Sequence, residues 1–372
     1  MHENDFLALA QPGLRRLRPY DPGHDIVALR RRFGARLVEL GGNENPHGPS
    51  PRAREAILDA LGQLARYPDP LGGDLKAALA NKLGVDAAQI LLGNGSHELL
   101  MQFAQAFCGP EAGVVMSRYG FAVYPLAALA ADAPLTVAEA LPEGHPMHRG
   151  HDLDAIRAAV DERARLVYLC NPSNPVGTWF PSADLERFLA SLPEQVLVVV
   201  DEAYAEYVEV PELQSALTLL PRFPRLIVTR TFSKGYGLAG LRVGYAVAQP
   251  GLVAVMERLR ESFNVNLPGL AAAEAALADE EHLAWHVEQN RIEREWLSTR
   301  LRDRGLYVHP SQTNFLLVDF GRDATPYEEA LLAQGVVPRP MRGYGLPTCL
   351  RISIGTRSEN QRLLSGLEGA GA

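Results

Sequence analysis

Short apolar runs alternate with helical patterns along the chain up to about residue 250. Four of these runs, at residues 89–93, 165–170, 195–200 and 225–230, are rich in Val, Ile and Leu and lack polar alternation. Such runs are typical of parallel strands that are buried on both faces of a sheet. The pattern therefore predicts an α/β fold in which helices cover both sides of the sheet.

Amphipathic stretches between these runs predict the covering helices. They read SHELLMQFAQAF, HDLDAIRAAVDERA and SADLERFLASL. Each opens with a side chain of the kind that caps a helix, namely Ser96, Asp152 and Ser182.

The alternation of apolar runs and helical patterns ends at about residue 250. A long helix-rich region there leads into two short strands, TNFLLVDF and CLRISIG, which predicts a smaller α+β domain. We expect an N-terminal arm with part of the small domain at 1–45, a large α/β domain at 46–255 and the small C-terminal domain at 256–372.

Composition and charge exclude several classes of function. The 372 residues include 44 acidic and 36 basic side chains and no Lys/Arg-dense segment, which argues against nucleic acid or an anionic membrane as a partner. No apolar run approaches the ~20 residues of a membrane span, and the start lacks a signal-peptide core, which predicts a cytoplasmic protein. Cys108, Cys170 and Cys349 are too far apart for a zinc site or a disulfide framework, so we expect no metal.

Lysine is scarce, and one lysine has unusual surroundings. The chain has three lysines, and Lys76 and Lys82 lie in a predicted helix where a solvated face explains them. Lys234 lies instead between glycines and apolar residues in RTFSKGYGLAGLR. Unlike arginine, a lysine amine can lose its proton and attack a carbonyl, so Lys234 is the candidate nucleophile.

Polar residues follow two of the predicted strands, at the sheet edge where ligands of open parallel sheets bind. Asp201 ends one strand, either as a helix N-cap or as a carboxylate that pairs with a pyridinium nitrogen. NPSNPVG follows another strand and is either a plain loop or a tight turn that aims Asn174 into the cleft.

Two more segments predict an anion site at the same edge. Thr231 and Ser233 lie beside the candidate nucleophile, and Arg242 follows shortly after. Hydroxyls, backbone N–H groups and a guanidinium around one point favour a phosphate. Gly95 and Ser96 start a helix whose N–H groups also favour an anion, although such glycine turns are common by themselves. An amine beside a phosphate site suggests an anchored cofactor.

The motifs NPSNPVG, DEAY and TFSKGYGLAGLRVGY, in this order and spacing, resemble those of the fold-type I pyridoxal phosphate (PLP) enzymes of the aspartate aminotransferase superfamily. RPYDPG, LGGNENPHGPSP, RYPDP and VVPRPMRGYGLPTCLRISIGT extend the likeness to the histidinol-phosphate aminotransferases from end to end. The resemblance implies a mostly parallel seven-stranded sheet in the large domain, PLP as the cofactor and a homodimer.

The resemblance also implies a role for each matching residue. Lys234 would bind the cofactor covalently and then move the Cα proton, and Asp201 would pair with the pyridinium nitrogen. Asn174 and Tyr204 would hydrogen-bond the phenolic oxygen. Tyr119 would stack on the cofactor ring, although the same residue also fits the core at the start of a helix. The residues around the cofactor phosphate would be Gly95, Ser96, His97, Thr231, Ser233, Arg242 and, from the partner subunit, Tyr67.

Arg351 is the candidate substrate anchor. Its neighbours Leu350, Ile352 and Ile354 share one face of the strand LRISI, so Arg351 points away from their packing, toward a ligand or toward solvent. A guanidinium binds carboxylate or phosphate bidentately, so one residue could serve both glutamate and a phosphate-bearing amine. The resemblance adds three substrate-binding residues, which are Arg339, Asn45 and, from across the dimer, Tyr20.

The expected reaction is transamination of L-histidinol phosphate with 2-oxoglutarate, giving imidazole acetol phosphate and L-glutamate in histidine biosynthesis. An aromatic amino acid aminotransferase, a phosphothreonine-type decarboxylase and a cofactor-binding regulator remain as alternatives. Two departures from the family pattern are His97, where relatives carry Asp, and NPSNPVG in place of NPNNPTG. Neither removes an essential group.

Overall fold

The computed structural model describes residues 2–19, 23–369 and 371. In these residues the helices are α1 (Glu3–Leu7), α2 (Pro12–Arg16), α3 (Ile26–Phe33), α4 (Pro51–Leu61), α5 (Gly73–Leu83), α6 (Ser96–Phe107), α7 (Val123–Ala130), α8 (Leu153–Ala158), α9 (Ser182–Ser191), α10 (Pro250–Met256), α11 (Leu267–Leu277), α12 (Glu280–Arg302), α13 (Thr325–Ala333) and α14 (Arg357–Glu368). The strands are β1 (Val38–Glu39), β2 (Ile90–Gly93), β3 (Gly113–Ser117), β4 (Leu135–Ala138), β5 (Ala164–Cys170), β6 (Leu197–Asp201), β7 (Leu226–Thr231), β8 (Gly244–Val247), β9 (Tyr307–Val308), β10 (Phe315–Asp319), β11 (Val336–Val337), β12 (Arg339–Pro340) and β13 (Cys349–Ser353).

The largest sheet has seven strands in the order β2-β8-β7-β6-β5-β3-β4. All pairs from β7 to β4 are parallel, whereas β8 is antiparallel to both of its neighbours. The expected α/β class with a mostly parallel seven-stranded sheet is confirmed. The four apolar runs form β2, β5, β6 and β7, and β2 runs in the same direction as the other three, although its partner in the sheet is the antiparallel β8.

The side chains of the central strands enter two hydrophobic clusters, one on each face of the sheet. On β6, Val198 and Val200 join one cluster, whereas Leu197 and Val199 join the other. Because successive side chains of a strand point to opposite faces, a run without polar alternation requires apolar cover on both sides. That requirement explains why β6 is apolar throughout residues 197–200.

The predicted helices exist, but two of the three predicted caps were wrong. Asp152 caps α8, and its carboxylate accepts from the backbone N–H groups of Asp154 and Ala155. The N-cap of α6 is Gly95, and that of α9 is Pro181. Ser96 and Ser182 are therefore the first residues inside their helices, which the residue types alone do not distinguish from caps.

The structure also contains two smaller sheets. One is antiparallel, with the order β12-β13-β10-β9, and the other pairs β1 with β11 in parallel, so the N-terminal segment joins the C-terminal part of the chain. The predicted boundary between residues 255 and 256 falls inside the last turn of α10 (Pro250–Met256), and α11 packs mainly against α4. The domain boundaries stay a prediction.

Within the residues that the structure describes, none of the helices combines the length and the apolar character that crossing a bilayer requires.

Candidate active site

A cavity of about 540 Å³ opens at the carboxyl ends of β5, β6 and β7. Residues 41–44 and the strands β12 and β13 contribute its other side. The sequence-predicted residues that line it are Ser96, His97, Asn174, Asp201, Tyr204, Thr231, Ser233, Lys234, Arg242, Arg339 and Arg351. One cavity therefore brings together residues from most of the predicted motifs.

Asp201 is the last residue of β6 and is only 2 % exposed. Its two carboxylate oxygens accept hydrogen bonds from Tyr124 Oη at 3.2 Å and from Thr229 Oγ1 at 3.0 Å. Burial raises the pKa of Asp201 to about 6, against the lowering effect of these two hydrogen bonds. The carboxylate caps no helix, and a cation in the cavity would favour its ionised form.

Lys234 follows β7 and faces the cavity across from residues 41–44. Its Nζ donates a hydrogen bond to the carbonyl oxygen of Gly42 at 3.1 Å. Burial and, to a smaller extent, the nearby guanidinium of Arg351 lower the pKa of Lys234 to about 8. About a tenth of the amine is therefore unprotonated at pH 7, and this neutral form is the one that a nucleophile requires.

Arg351 lies on β13 and is 8 % exposed, so it is not a solvated strand residue. Its guanidinium donates to Asn174 Oδ1 at 2.6 Å and to the carbonyl oxygen of Gly41 at 2.8 Å, and it lies over the ring of Phe315. Leu350, Ile352 and Ile354 lie together in the cluster on the opposite face, as their alternation predicts.

Arg339 is the cross-strand partner of Arg351 in the antiparallel pair β12-β13. Paired residues of neighbouring strands project from the same face of a sheet, so both guanidinium groups project toward the cavity. The Arg339 side chain passes against Gly23, where an added Cβ would meet Nη1 at 2.5 Å. A side chain at position 23 would displace this arginine.

Tyr204 is buried, and its Oη accepts a hydrogen bond from Asn43 Nδ2 at 3.1 Å. Asn43 is itself held by Ser353, whose Oγ accepts from the Asn43 backbone N–H at 2.8 Å. Burial is the main reason that the pKa of Tyr204 is raised, so its hydroxyl stays protonated and remains a hydrogen-bond donor.

Hydroxyl groups and a guanidinium form a compact polar cluster next to Lys234. Thr231 Oγ1 and Ser233 Oγ lie 3.0 Å apart, and Arg242 Nη1 lies 3.3 Å from Ser233 Oγ. The guanidinium of Arg242 crosses Gly95, at the N-terminus of α6, and would collide with any Cβ there. Gly95 also has φ 79°, a conformation that favours glycine.

His97 lies at the same helix start and lines the cavity. Burial and the charge of Arg242 lower the pKa of His97, which favours the neutral ring. Near neutral pH the ring offers a hydrogen-bond donor there, and not a second full positive charge.

Among the predicted site residues that the structure describes, Gly95 lies beside the cavity under the guanidinium of Arg242, and three others do not line it. Tyr119 packs against an apolar cluster that includes Met341. Asn45 donates from Nδ2 to the carbonyl oxygen of Gly235 at 3.1 Å, so it supports the backbone after Lys234. Tyr67 is 81 % exposed and stacks on Phe263. The prediction for Tyr20 falls outside the described residues.

The structure also reveals site residues that the sequence patterns did not indicate. Tyr124 and Thr229 hold the carboxylate of Asp201, Asn43 holds Tyr204, and the ring of Phe121 lines the cavity. Tyr124 lies on an otherwise apolar helix and Thr229 inside a strand, where no spacing rule marks them. Phe121 offered one signal, because it lies two residues after Tyr119 in SRYGF.

The sequence of the chain is similar to those of known proteins. The model of the family "Aminotransferase class I and II" matches residues 35–367. The chain belongs to this family. The aminotransferase is 49% identical over 370 residues to histidinol-phosphate aminotransferase 2 of Pseudomonas aeruginosa, with 98% of each chain covered. It is 48% identical to histidinol-phosphate aminotransferase 2 of Methylococcus capsulatus, with 97% of each chain covered.

A solved structure supports the same assignment of the fold. The histidinol-phosphate aminotransferase of Sinorhizobium meliloti, in complex with pyridoxal-5'-phosphate, superposes on the aminotransferase with a TM-score of 0.86. The two sequences are 33% identical, and the match covers 97% of each chain. The expected resemblance to this group of aminotransferases is therefore confirmed.

Proposed function

We propose that this aminotransferase uses PLP to transfer the amino group of L-histidinol phosphate to 2-oxoglutarate, a step of histidine biosynthesis. The observation that carries the proposal is the arrangement of Lys234, Asp201 and Arg351 around one cavity. An amine with a lowered pKa, a buried carboxylate and an anion-binding guanidinium are what an amino-transfer site for anionic substrates needs. The names of the close relatives support the choice of histidinol phosphate.

The side chains of the cavity fit PLP group by group. The carboxylate of Asp201 would pair with the protonated ring nitrogen, and this cation would offset the burial that raises the pKa of Asp201. Asn174 and Tyr204 would donate to the phenolic oxygen. The cluster of Thr231, Ser233 and Arg242, with the start of α6, would hold the phosphate.

Bound PLP supplies an electron sink for the bond that breaks at Cα of the amino donor. Lys234 would take the proton from Cα and return one at C4′, because its amine is positioned in the cavity and can exist unprotonated. Asp201 would keep the ring nitrogen protonated throughout. The hydrogen bonds from Tyr124 and Thr229 fix the direction of its carboxylate.

Two arginines would recognise the substrates. Arg351 would bind the carboxylate of glutamate or the phosphate of the amino donor, since a guanidinium accommodates either group bidentately. Arg339, on the same face of the sheet, would add a second contact to phosphate. Asn45 and Tyr20 are retained in this proposal as further substrate contacts, and Tyr119 as a cofactor contact.

We further propose a cytoplasmic homodimer in which Tyr67 reaches the cofactor phosphate of the partner subunit. In support, Tyr67 and Phe263 form an exposed stacked pair, and the exposed apolar side chains Leu58, Leu61 and Leu64 precede it. Contiguous exposed apolar surface is typical of protein interfaces. A solution mass of twice 40.6 kDa is expected, and a mass of a single chain would contradict the dimer.

Steady-state kinetics of the holoenzyme test the proposed reaction. With 2-oxoglutarate as the acceptor, kcat/KM for L-histidinol phosphate should exceed that for L-phenylalanine at least about 100-fold, because phenylalanine lacks the phosphate. Arg339→Ala should reduce this preference. Equal or better use of phenylalanine would assign the enzyme to aromatic amino acids, and carbon dioxide release without an oxo acid would indicate a decarboxylase.

A further inference from the structure

The helices α8 and α9 enclose a second cavity, with a volume of about 500 Å³, which is close to that of the catalytic cavity. Asp184, Arg187, Phe188 and Ser191 recur at the spacing of one helix face on α9 and line it. Trp179 adds an aromatic wall from the loop before α9. The cavity thus combines aromatic surface with charged side chains, as small-molecule sites do.

His151 is a buried polar group in this cavity and is 6 % exposed. Its Nε2 accepts a hydrogen bond from the backbone N–H of Cys170 at 3.2 Å. Burial lowers the pKa of His151 to about 4, so the ring is neutral at pH 7 and its proton lies on Nδ1. Among the described residues none accepts a hydrogen bond from Nδ1. Because Nδ1 is not sealed from solvent, it can donate to a ligand in the cavity.

The charged groups of the cavity are only partly paired with one another. Arg187 forms an ion pair with Asp184 at 2.5 Å. Arg157 donates from Nε to the carbonyl oxygen of Ser191 at 2.9 Å, which fixes its guanidinium at the wall. Neither Arg157 nor Asp154 is in an ion pair with any described residue. One cationic and one anionic group are therefore available to a ligand that carries both charges.

We propose that this second cavity binds a heteroaromatic amino acid whose ring carries a hydrogen-bond acceptor. The ligand carboxylate would lie on Arg157, its ammonium near Asp154 and its ring against Trp179 and Phe188. A ring nitrogen would accept the hydrogen bond from His151. L-Histidine is the simplest probe with these groups, and L-phenylalanine is its matched control because its ring has no acceptor.

The second cavity adjoins the catalytic one through two direct contacts. His151 holds the backbone of Cys170, which lines the catalytic cavity. Asn171 exchanges hydrogen bonds with the backbone of Phe180, which lines the second cavity, at 3.0 and 3.2 Å. A ligand here would thus contact residues that carry the loop of Asn174. The binding itself does not depend on the proposed catalytic function.

Tryptophan fluorescence can test the binding directly. Trp285 and Trp296 lie on α12, so a Trp285→Phe/Trp296→Phe holoenzyme retains Trp179 as its single tryptophan reporter. We expect a saturable change with L-histidine and about 10-fold weaker binding of L-phenylalanine. Arg157→Ala in this background should also weaken L-histidine about 10-fold. The matched control is Arg163→Ala, because this exposed arginine lies outside the cavity.

The same experiment separates this site from the catalytic cavity, which could also take an amino acid. Adding Arg351→Ala should leave the fluorescence titration unchanged. A signal that Arg351→Ala removes and Arg157→Ala retains would place L-histidine in the catalytic cavity and overturn the proposal. Absence of any saturable change in the Arg163→Ala control would overturn it as well.

His151→Phe provides a second variant for the hydrogen bond itself. It removes the ring donor and retains an aromatic ring of similar size, so the preference for L-histidine over L-phenylalanine should disappear. A preserved preference in a folded variant would contradict the role of His151.

Discussion

The two sides of the catalytic cavity are built in different ways. The sheet side comprises Asn174, Asp201 and the segment 231–242, which follow three adjacent strands. The arginine side comprises Arg339 and Arg351 together with residues 41–44. Its hydrogen bond from Arg351 to Gly41 joins residues 310 positions apart in the chain.

This difference separates catalysis from substrate binding. Neighbouring strands of one sheet position the sheet side, and its groups would contact the cofactor. The arginine side forms only when distant parts of the chain meet, and its guanidinium groups would contact substrate. Changes on the sheet side should therefore lower kcat, whereas changes on the arginine side should mainly raise KM.

Lys234→Ala should have the largest effect, because it removes the amine that would move the Cα proton. We expect kcat to fall about 10³-fold or more, and borohydride treatment should leave no cofactor covalently attached to the chain. Lys82→Ala is the matched control, since Lys82 pairs with Glu280 on the surface and should retain full activity. Normal turnover by Lys234→Ala would remove this residue from the mechanism.

Asp201→Asn should have the next largest effect. The amide has the same shape but no charge to keep a ring nitrogen protonated, so kcat should fall about 10²- to 10³-fold with little change in KM. Steady-state kinetics with PLP at saturation provide the measurement. A loss confined to KM would show that Asp201 binds substrate instead.

Arg351→Ala and Arg339→Ala should separate two roles on the arginine side. The first should raise KM for both glutamate and histidinol phosphate by about 10- to 100-fold, because each substrate loses a charge-assisted hydrogen bond. The second should raise KM for histidinol phosphate and spare glutamate. If both variants affect the two substrates alike, the assignment of a separate phosphate contact to Arg339 is wrong.

The smallest expected effect is on the pH dependence of cofactor binding, where Arg351 on the arginine side influences Lys234 on the sheet side. The pKa of Lys234 is lowered to about 8, so the reactive neutral amine predominates above pH 8 and falls about tenfold per unit below it. The rate at which PLP reconstitutes the apoenzyme should follow that curve. Arg351→Gln removes a positive charge that lowers the pKa of Lys234, so the midpoint of the pH dependence of reconstitution should move to higher pH. An unchanged midpoint would show that the charge of Arg351 does not affect the pKa of Lys234.

The contrast also explains what the sequence could predict. Asp201 and Lys234 were found because each follows a strand that a local apolar run identifies, and ligands bind at strand ends. Arg351 was found from the alternation of LRISI on a single strand. Such local patterns fix which elements form and which residues lie at their ends.

Local sequence patterns could not predict contacts between segments that are far apart in the chain. Asn43 meets Tyr204 across 161 positions, and Tyr124 meets Asp201 across 77. No spacing rule pairs such residues, because only the packing of the sheets brings them together. The two cap predictions were wrong for a different reason, because a serine at the start of a helix fits both the N-cap and the first helical residue.

The most direct test of the account is a single half-reaction. The holoenzyme is mixed with L-histidinol phosphate in the absence of any oxo acid, and the absorption of the cofactor is followed. We predict complete conversion to the amino form of the cofactor at low donor concentration, much slower conversion with L-phenylalanine and none in Lys234→Ala. An absorption band that responds to phenylalanine but ignores histidinol phosphate would contradict the proposed reaction.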